Sequence, residues 1–136
     1  MEGPHVPDRF GGLSRPLRVL VVEDDPQAAA STALFLRLSG FEVRTAADGP
    51  TALEAATASR PDVVLLDLGL PGLDGCQVAR ALRAGLSGSR PLLVALTGHG
   101  REEDRRRSAE AGVDHHLVKP VEPEALRELL RGVQPD

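Results

Sequence analysis

The sequence contains no tryptophan and no tyrosine, and only three phenylalanines among its 136 residues. That shortage excludes an aromatic platform for stacking single-stranded nucleic acid, and it means any core must be aliphatic, built from Leu, Val and Ala. Cysteine is nearly absent as well: Cys76 stands alone, so no internal disulfide can form, and no Cys/His cluster has zinc spacing. Cys76 reads as a small helix residue. No run approaches the roughly 18 apolar residues needed to span a bilayer, and the N-terminus lacks the apolar stretch of a signal peptide. A cytoplasmic protein is the simplest inference. Excess positive charge is missing too, since a net charge of −4 gives no general pull towards DNA, RNA or anionic membranes.

What is present fits one ordinary soluble domain. Hydrophobic residues make up 41% and charged residues 26%, a balance that neither a disordered nor a fibrous chain shows. Residues 1–16 (MEGPHVPDRFGGLSRP) are rich in Gly and Pro and carry no periodicity, so they read as a flexible leader, with the folded unit over 17–134. From Leu17 short β-type runs alternate with longer helical ones. Strands are predicted over 17–22, 42–46, 63–67, 91–96 and 115–118, and helices over about 26–39, 50–59, 75–84, 101–111 and 122–133.

Five βα units in series imply an α/β fold with a doubly wound parallel sheet. The first, third and fourth strands (VLVV, VVLL, LLVAL) are continuous apolar runs suited to the middle of a sheet covered on both faces. The second (EVRTA) alternates and the fifth (HHLV) is half polar, so both suit edges. The order 2-1-3-4-5 satisfies this, and it is the flavodoxin-like order, for which CheY is a standard example. Leu126, Leu129, Leu130 and Val133 make an inward helical stripe, and Ala30, Ala33, Leu34 and Leu38 are expected to make another.

In such sheets the site lies beyond the carboxyl ends of the strands, near the point where strand order reverses. The first strand delivers Glu23, Asp24 and Asp25 to that edge, the third Asp67, the fourth Thr97 and the fifth Lys119; the second delivers only Ala46 and Ala47. Asp25 before Pro26 has the pattern of a helix cap. Carboxylates gathered at one edge repel one another unless a cation intervenes, and oxygen ligands alone suit Mg²⁺. Asp24 and Asp67 are the natural direct ligands, with Glu23 acting through water. A carboxylate there can attack phosphorus to give an aspartyl phosphate, while Lys119 and Thr97 offer an ammonium and a hydroxyl to the phosphoryl oxygens. Backbone N–H groups in the Gly-rich segment 68–72 could add donors.

The motifs VLVVEDDP, VVLLDLGLPGLDG, VALTGHG and HHLVKP stand in the order and spacing of the response-regulator receiver (CheY-like) family, which the sequence resembles from Leu17 to Val133. The resemblance implies that Glu23 and Asp24 are the acid pair, that Asp67 is phosphorylated, and that the Gly69 carbonyl joins the Mg²⁺ shell. It further implies that Thr97 and Lys119 bind the phosphoryl group and that the Lys119–Pro120 bond is cis. Members of the family take the phosphoryl group from a histidine kinase or histidine phosphotransfer protein. They catalyse that transfer and their own dephosphorylation, and are not conventional turnover enzymes. The family's aromatic switch position is His116 here, a ring able to repack or a surface histidine of an edge strand. Positions that tune hydrolysis are Gly69 and His99.

The stretch from Val94 to Leu126 is especially similar to receivers at the ends of hybrid sensor kinases. Only three residues follow Val133, so no output domain is expected, and the output should be a protein partner. In the family that partner meets the face of the fourth helix, fifth strand and fifth helix, here Arg101 to Arg107 and His115 to Leu117. A monomer or weak dimer is expected. Arg105, Arg106 and Arg107 follow Glu102, Glu103 and Asp104, which makes i, i+4 ion pairs on a solvated helix face a better reading than nucleic-acid binding. Haloacid-dehalogenase-type phosphatases need a second acid two residues after the aspartate, where this chain has Gly69. A receiver-like scaffold that signals without phosphorylation is the alternative reading.

Overall fold

The computed structural model describes residues 15–68, 75–85, 90–98 and 102–133, with the side chains of 102–104 left out. Five strands, β1 (Arg18–Val22), β2 (Glu42–Ala46), β3 (Val63–Asp67), β4 (Leu92–Thr97) and β5 (His115–Val118), alternate with five helices. These are α1 (Pro26–Leu38), α2 (Gly49–Ser59), α3 (Gly75–Gly85), α4 (Glu102–Glu110) and α5 (Pro123–Arg131). The sheet is parallel throughout, in the order β2-β1-β3-β4-β5. The three apolar strands lie inside and the two polar ones at the edges, because only strands with helices on both faces can bury every side chain.

Period-two alternation sends neighbouring side chains of each strand to opposite faces. Leu20, Val22, Val64 and Leu66 pack with α2 and α3 on one face. Val19, Val21, Val63 and Leu65 pack with α1 and α5 on the other, where Leu126 and Leu130 are buried and Leu129 and Val133 lie partly covered. Cys76 is a buried residue of α3.

The α1 stripe differs from the expectation. Ala33 is buried, but Ala30 is exposed and Leu34 and Leu38 are 58% and 79% exposed; the buried positions are Ala29, Ala33 and Leu36. The segment AAASTALFLRL carries apolar residues around most of its circumference, so its period does not fix its phase. Docking against β1 and β2 decides instead, and Leu36 enters the core.

Local chemistry sets the helix ends. Asp25 caps α1, its carboxylate accepting from Gln27 N–H at 3.0 Å, with Pro26 in the first turn. Gly40, at φ 100°, turns the chain out of α1 in a left-handed conformation that side chains resist. Asp48 caps α2 by accepting from Thr51 N–H at 2.8 Å, and that bond holds its carboxyl below the usual aspartate range.

Two arginine clamps close the end of the sheet where the strands begin. Arg15 forks onto the buried Asp62 at 2.8 and 2.9 Å, and Asp62 also accepts Arg18 N–H at 2.8 Å. Arg83 donates to the carbonyls of Pro91 and Gly112 and to Asp114, which in turn accepts Leu93 N–H at 2.9 Å. The amino end of the sheet is therefore pinned by charge-assisted bonds.

Leu36→Ala, which empties a fully buried site, should cost about 2–5 kcal/mol in urea denaturation. Leu34→Ala should stay within about 0.5 kcal/mol. The reverse ranking would refute the helix phase described.

Candidate functional site

Strand register assembles the site. Val22 stands beside Leu66 in the β1–β3 pair, so the residues that follow, Glu23 and Asp67, leave the sheet side by side. Asp67 stands beside Leu96, and Thr97 beside Val118, so Thr97 and then Lys119 follow in steps at the same edge. β2 ends level with β1, Ala46 beside Val22, and its Ala46 carbonyl accepts Glu23 N–H at 2.9 Å.

Glu23, Asp24 and Asp67 can each offer one carboxylate oxygen such that all three lie within 4.8 Å of one another. The Glu23 and Asp67 side chains are 10% and 9% exposed, while Asp24 faces solvent. Lys119 Nζ donates to Asp67 Oδ2 at 3.0 Å and lies 3.6 Å from Glu23 Oε1. Thr97 is buried beside them, and its carbonyl accepts Lys119 N–H at 2.7 Å, which ties the lysine backbone to the end of β4. The Lys119–Pro120 bond is cis.

Two further contacts hold the frame. Asp25 N–H donates to Glu23 Oε2 at 3.1 Å, so the residue that caps α1 also orients the buried glutamate. Gly75, at the start of α3, approaches Leu68 so closely that a Cβ there would come within 2.6 Å of the Leu68 Cα. Only glycine lets α3 press against the chain leaving β3.

The electrostatics reflect the crowding. Burial pushes the Glu23 carboxyl up, and the neighbouring Asp67 charge and hydrogen bond push it further, against the opposing Asp25 N–H and Lys119. For Lys119 burial pulls downward, but the hydrogen bond and charge of Asp67, followed by those of Glu23, outweigh it and leave the ammonium raised. Among the described residues, three carboxylates against one ammonium leave this pocket short of positive charge. A hard dication with oxygen ligands fits such a donor set, which contains neither imidazole nor thiolate.

His116 lies half-buried in a groove of about 220 Å³ between α4 and β5, lined also by Arg105, Ser108 and Asp114. Its Nδ1 is 3.2 Å from the hydroxyl of Ser108, a fully buried residue that also donates to the Arg105 carbonyl at 3.1 Å. Ser108 was not among the residues singled out from sequence. In a helix that is otherwise charged (EEDRRRSAE), its small side chain three residues before the buried Ala111 was the available sign of an inward face. Gly69, His99, Arg101 and the 69–72 segment lie outside the described residues, as do the side chains at 102–104 that would form the expected α4 ion pairs.

Comparison with known proteins agrees with the geometry. Residues 19–131 match the family model of the response regulator receiver domain. Over 123 residues the chain is 50% identical to the transcriptional regulatory protein PrrA of Mycobacterium tuberculosis, covering 90% of this chain and 50% of that protein. The chain thus spans about half the length of the curated relatives it matches. Chemotaxis protein CheY4 of Vibrio cholerae superposes with a TM-score of 0.82 at 31% identity, over 87% of this chain and 98% of that one. The receiver domain of sensor histidine kinase PA1611 of Pseudomonas aeruginosa, solved with a magnesium ion coordinated in its active-site cleft, gives 0.77 at 34% identity over 85% and 95%. With the five-stranded order, the acid cluster at its carboxyl edge and a family match across most of its length, the chain belongs to the response regulator receiver domain family, the phosphoacceptor modules of two-component signalling.

Proposed function

We propose that this chain accepts a phosphoryl group on Asp67 from the phosphohistidine of a histidine kinase or histidine phosphotransfer protein. The change then passes to a protein partner at the face of α4, β5 and α5. One observation carries the reading: the Lys119 ammonium sits 3.0 Å from Asp67 within a cluster of three carboxylates. That lysine is the positive partner awaiting a more highly charged group at the same place.

In the transfer an Asp67 oxygen bonds to phosphorus as the donor's N–P bond breaks, and the imidazole nitrogen keeps the electron pair. Water later cleaves the acyl phosphate and restores the carboxylate and inorganic phosphate. Lys119 pairs with the phosphoryl oxygens, and the Thr97 hydroxyl donates to them as charge accumulates. Asp24 and Asp67 would hold Mg²⁺ directly and Glu23 through water, with the Gly69 carbonyl as the further ligand the family resemblance implies. Bound there, the ion would supply charge neutralisation for the carboxylates and the phosphoryl oxygens.

His116 is the candidate switch ring, with Gly69 and His99 as positions that tune hydrolysis. The folded domain is taken as 17–134, acting in the cytoplasm as a monomer or weak dimer. Among the described residues no helix is long and apolar enough to cross a membrane. The relative named a transcriptional regulatory protein supports a place upstream of gene control, reached through a protein contact.

Treatment with acetyl phosphate and Mg²⁺, read by intact mass spectrometry, should add one phosphoryl group to the wild type and none to Asp67→Asn. Modification of the variant, or none of the wild type, would overturn the assignment.

The charge coupling has its own signature. In Asp67→Asn, NMR titration should find Glu23 displaced downward towards its ordinary 4.5, because the Asp67 contributions that raise it are gone. Lys119 should fall as well, having lost the partner that raises it from 10.5. The sign for stability follows: Glu23's contribution is present below 4.5 and lost as pH rises through its raised value, so in the variant that loss should be smaller and complete at lower pH. An unmoved Glu23 would show that the two carboxylates do not interact.

A further inference from the structure

At the end of the sheet opposite the acid pocket lies a cleft of about 590 Å³, within the roughly 300–1,000 Å³ range of ligand sites. Its walls carry three guanidinium groups, Arg18, Arg37 and Arg44, and one carboxylate, Glu42. Register explains the concentration. Arg18 pairs with Glu42 and Leu20 with Arg44, and alternate residues share a face, so Arg18, Glu42 and Arg44 project to the same side of the β1–β2 pair. Arg37 reaches the cleft from the last turn of α1, on the opposite face of the sheet, by donating to the Val43 carbonyl at the β2 edge at 2.9 Å, so the cleft wraps round that edge.

These arginines are weakly engaged. Arg18 lies 3.8 Å from the Glu42 carboxylate, with both side chains well exposed, and its other contact is a 3.4 Å bond to the Ser59 carbonyl. Arg37 uses one N–H of its fork on Val43, and the Arg44 side chain makes no hydrogen bond or ion pair among the described residues. The clamp at the neighbouring Asp62 shows the contrast, since there Arg15 binds its carboxylate through two short bonds. Excess positive charge in a chain of net charge −4 is thus held open to solvent in one place. The same cleft has apolar walls at Phe41, Val43 and Pro61.

We propose that this cleft binds a short acidic segment of a partner protein, two carboxylates engaging the arginine forks around an apolar side chain seated on Phe41 and Pro61. Guanidinium forks match carboxylates in bidentate geometry, and arginine clusters are a recurrent way to read acidic motifs. A long polyanion is disfavoured, because three charges on an acidic protein do not offset repulsion along a nucleic-acid backbone. Adding a strand to the free edge of β2 is disfavoured as well, since Arg37 already occupies the Val43 carbonyl. The apolar walls favour a peptide over a bare anion, which has nothing to lay against them.

The test is an NMR titration of the full, unphosphorylated chain with a capped peptide alternating Glu and Leu. Its outcome does not depend on the chemistry at Asp67. Saturable amide shifts confined to Phe41–Arg44 and Ala58–Arg60 are expected, with binding about tenfold weaker in Arg44→Gln and unchanged in Arg131→Gln, an exposed arginine on α5. Circular dichroism should show both variants folded, as suits residues on the surface. Non-saturating shifts, equal binding of the peptide with Gln in place of Glu, indifference to Arg44→Gln, or equal affinity for inorganic phosphate would each refute the proposal.

Discussion

The molecule is organised around a deliberate electrostatic conflict: Glu23, Asp24 and Asp67 converge at one edge of the sheet, where the Lys119 ammonium opposes them. Holding like charges at such separations costs stability, and the Glu23 carboxyl shows it, pushed up first by burial and further by the neighbouring Asp67 charge. An arrangement of this kind persists only if the scaffold enforces it. The stiffness comes from three central strands buried on both faces, whose register fixes which backbone atoms lie level with which. Where β1 and β3 stop, the acids have no freedom to separate.

Stability is accordingly gathered away from the site. The amino end of the sheet carries the Arg15–Asp62 fork and the Arg83 network, charge-assisted bonds that tie carboxylates and loop carbonyls to the starts of the strands. The Arg127 guanidinium lies 5.5 Å above the Phe35 ring, joining α5 to α1 across the second face. The carboxyl end is left to chemistry, its acids held by Lys119 and by backbone donors such as Asp25 N–H. The fold therefore separates an end pinned by arginine clamps from an end crowded with acids, and transfer of a charged group is the kind of event that the acidic end can register.

Much of this was legible in the sequence because strands report their environment directly. VVLL reads as a strand covered on both faces, and EVRTA as an edge. Their carboxyl ends then name the residues that share a pocket. The phase of α1 was not legible, since an alanine- and leucine-rich helix presents an apolar surface in several directions and tertiary docking chooses among them; Leu36, not Leu34, won. Ser108 escaped for a related reason. Its helix is so heavily charged that an inward face hardly shows, and the bond it makes to His116 depends on the spacing between α4 and β5, which no local pattern encodes. The basic cleft was equally hidden, because Arg18, Arg37 and Arg44 come from three elements and line one cleft only through the β1–β2 register and the end of α1.

The most direct measurement of the central claim is anomalous diffraction from crystals grown with Mn²⁺, an oxygen-seeking ion that substitutes for Mg²⁺. The account predicts a peak within coordination distance of carboxylate oxygens from Asp24 and Asp67, with Glu23 adjacent. Crystals at saturating metal with no peak among these residues would contradict it.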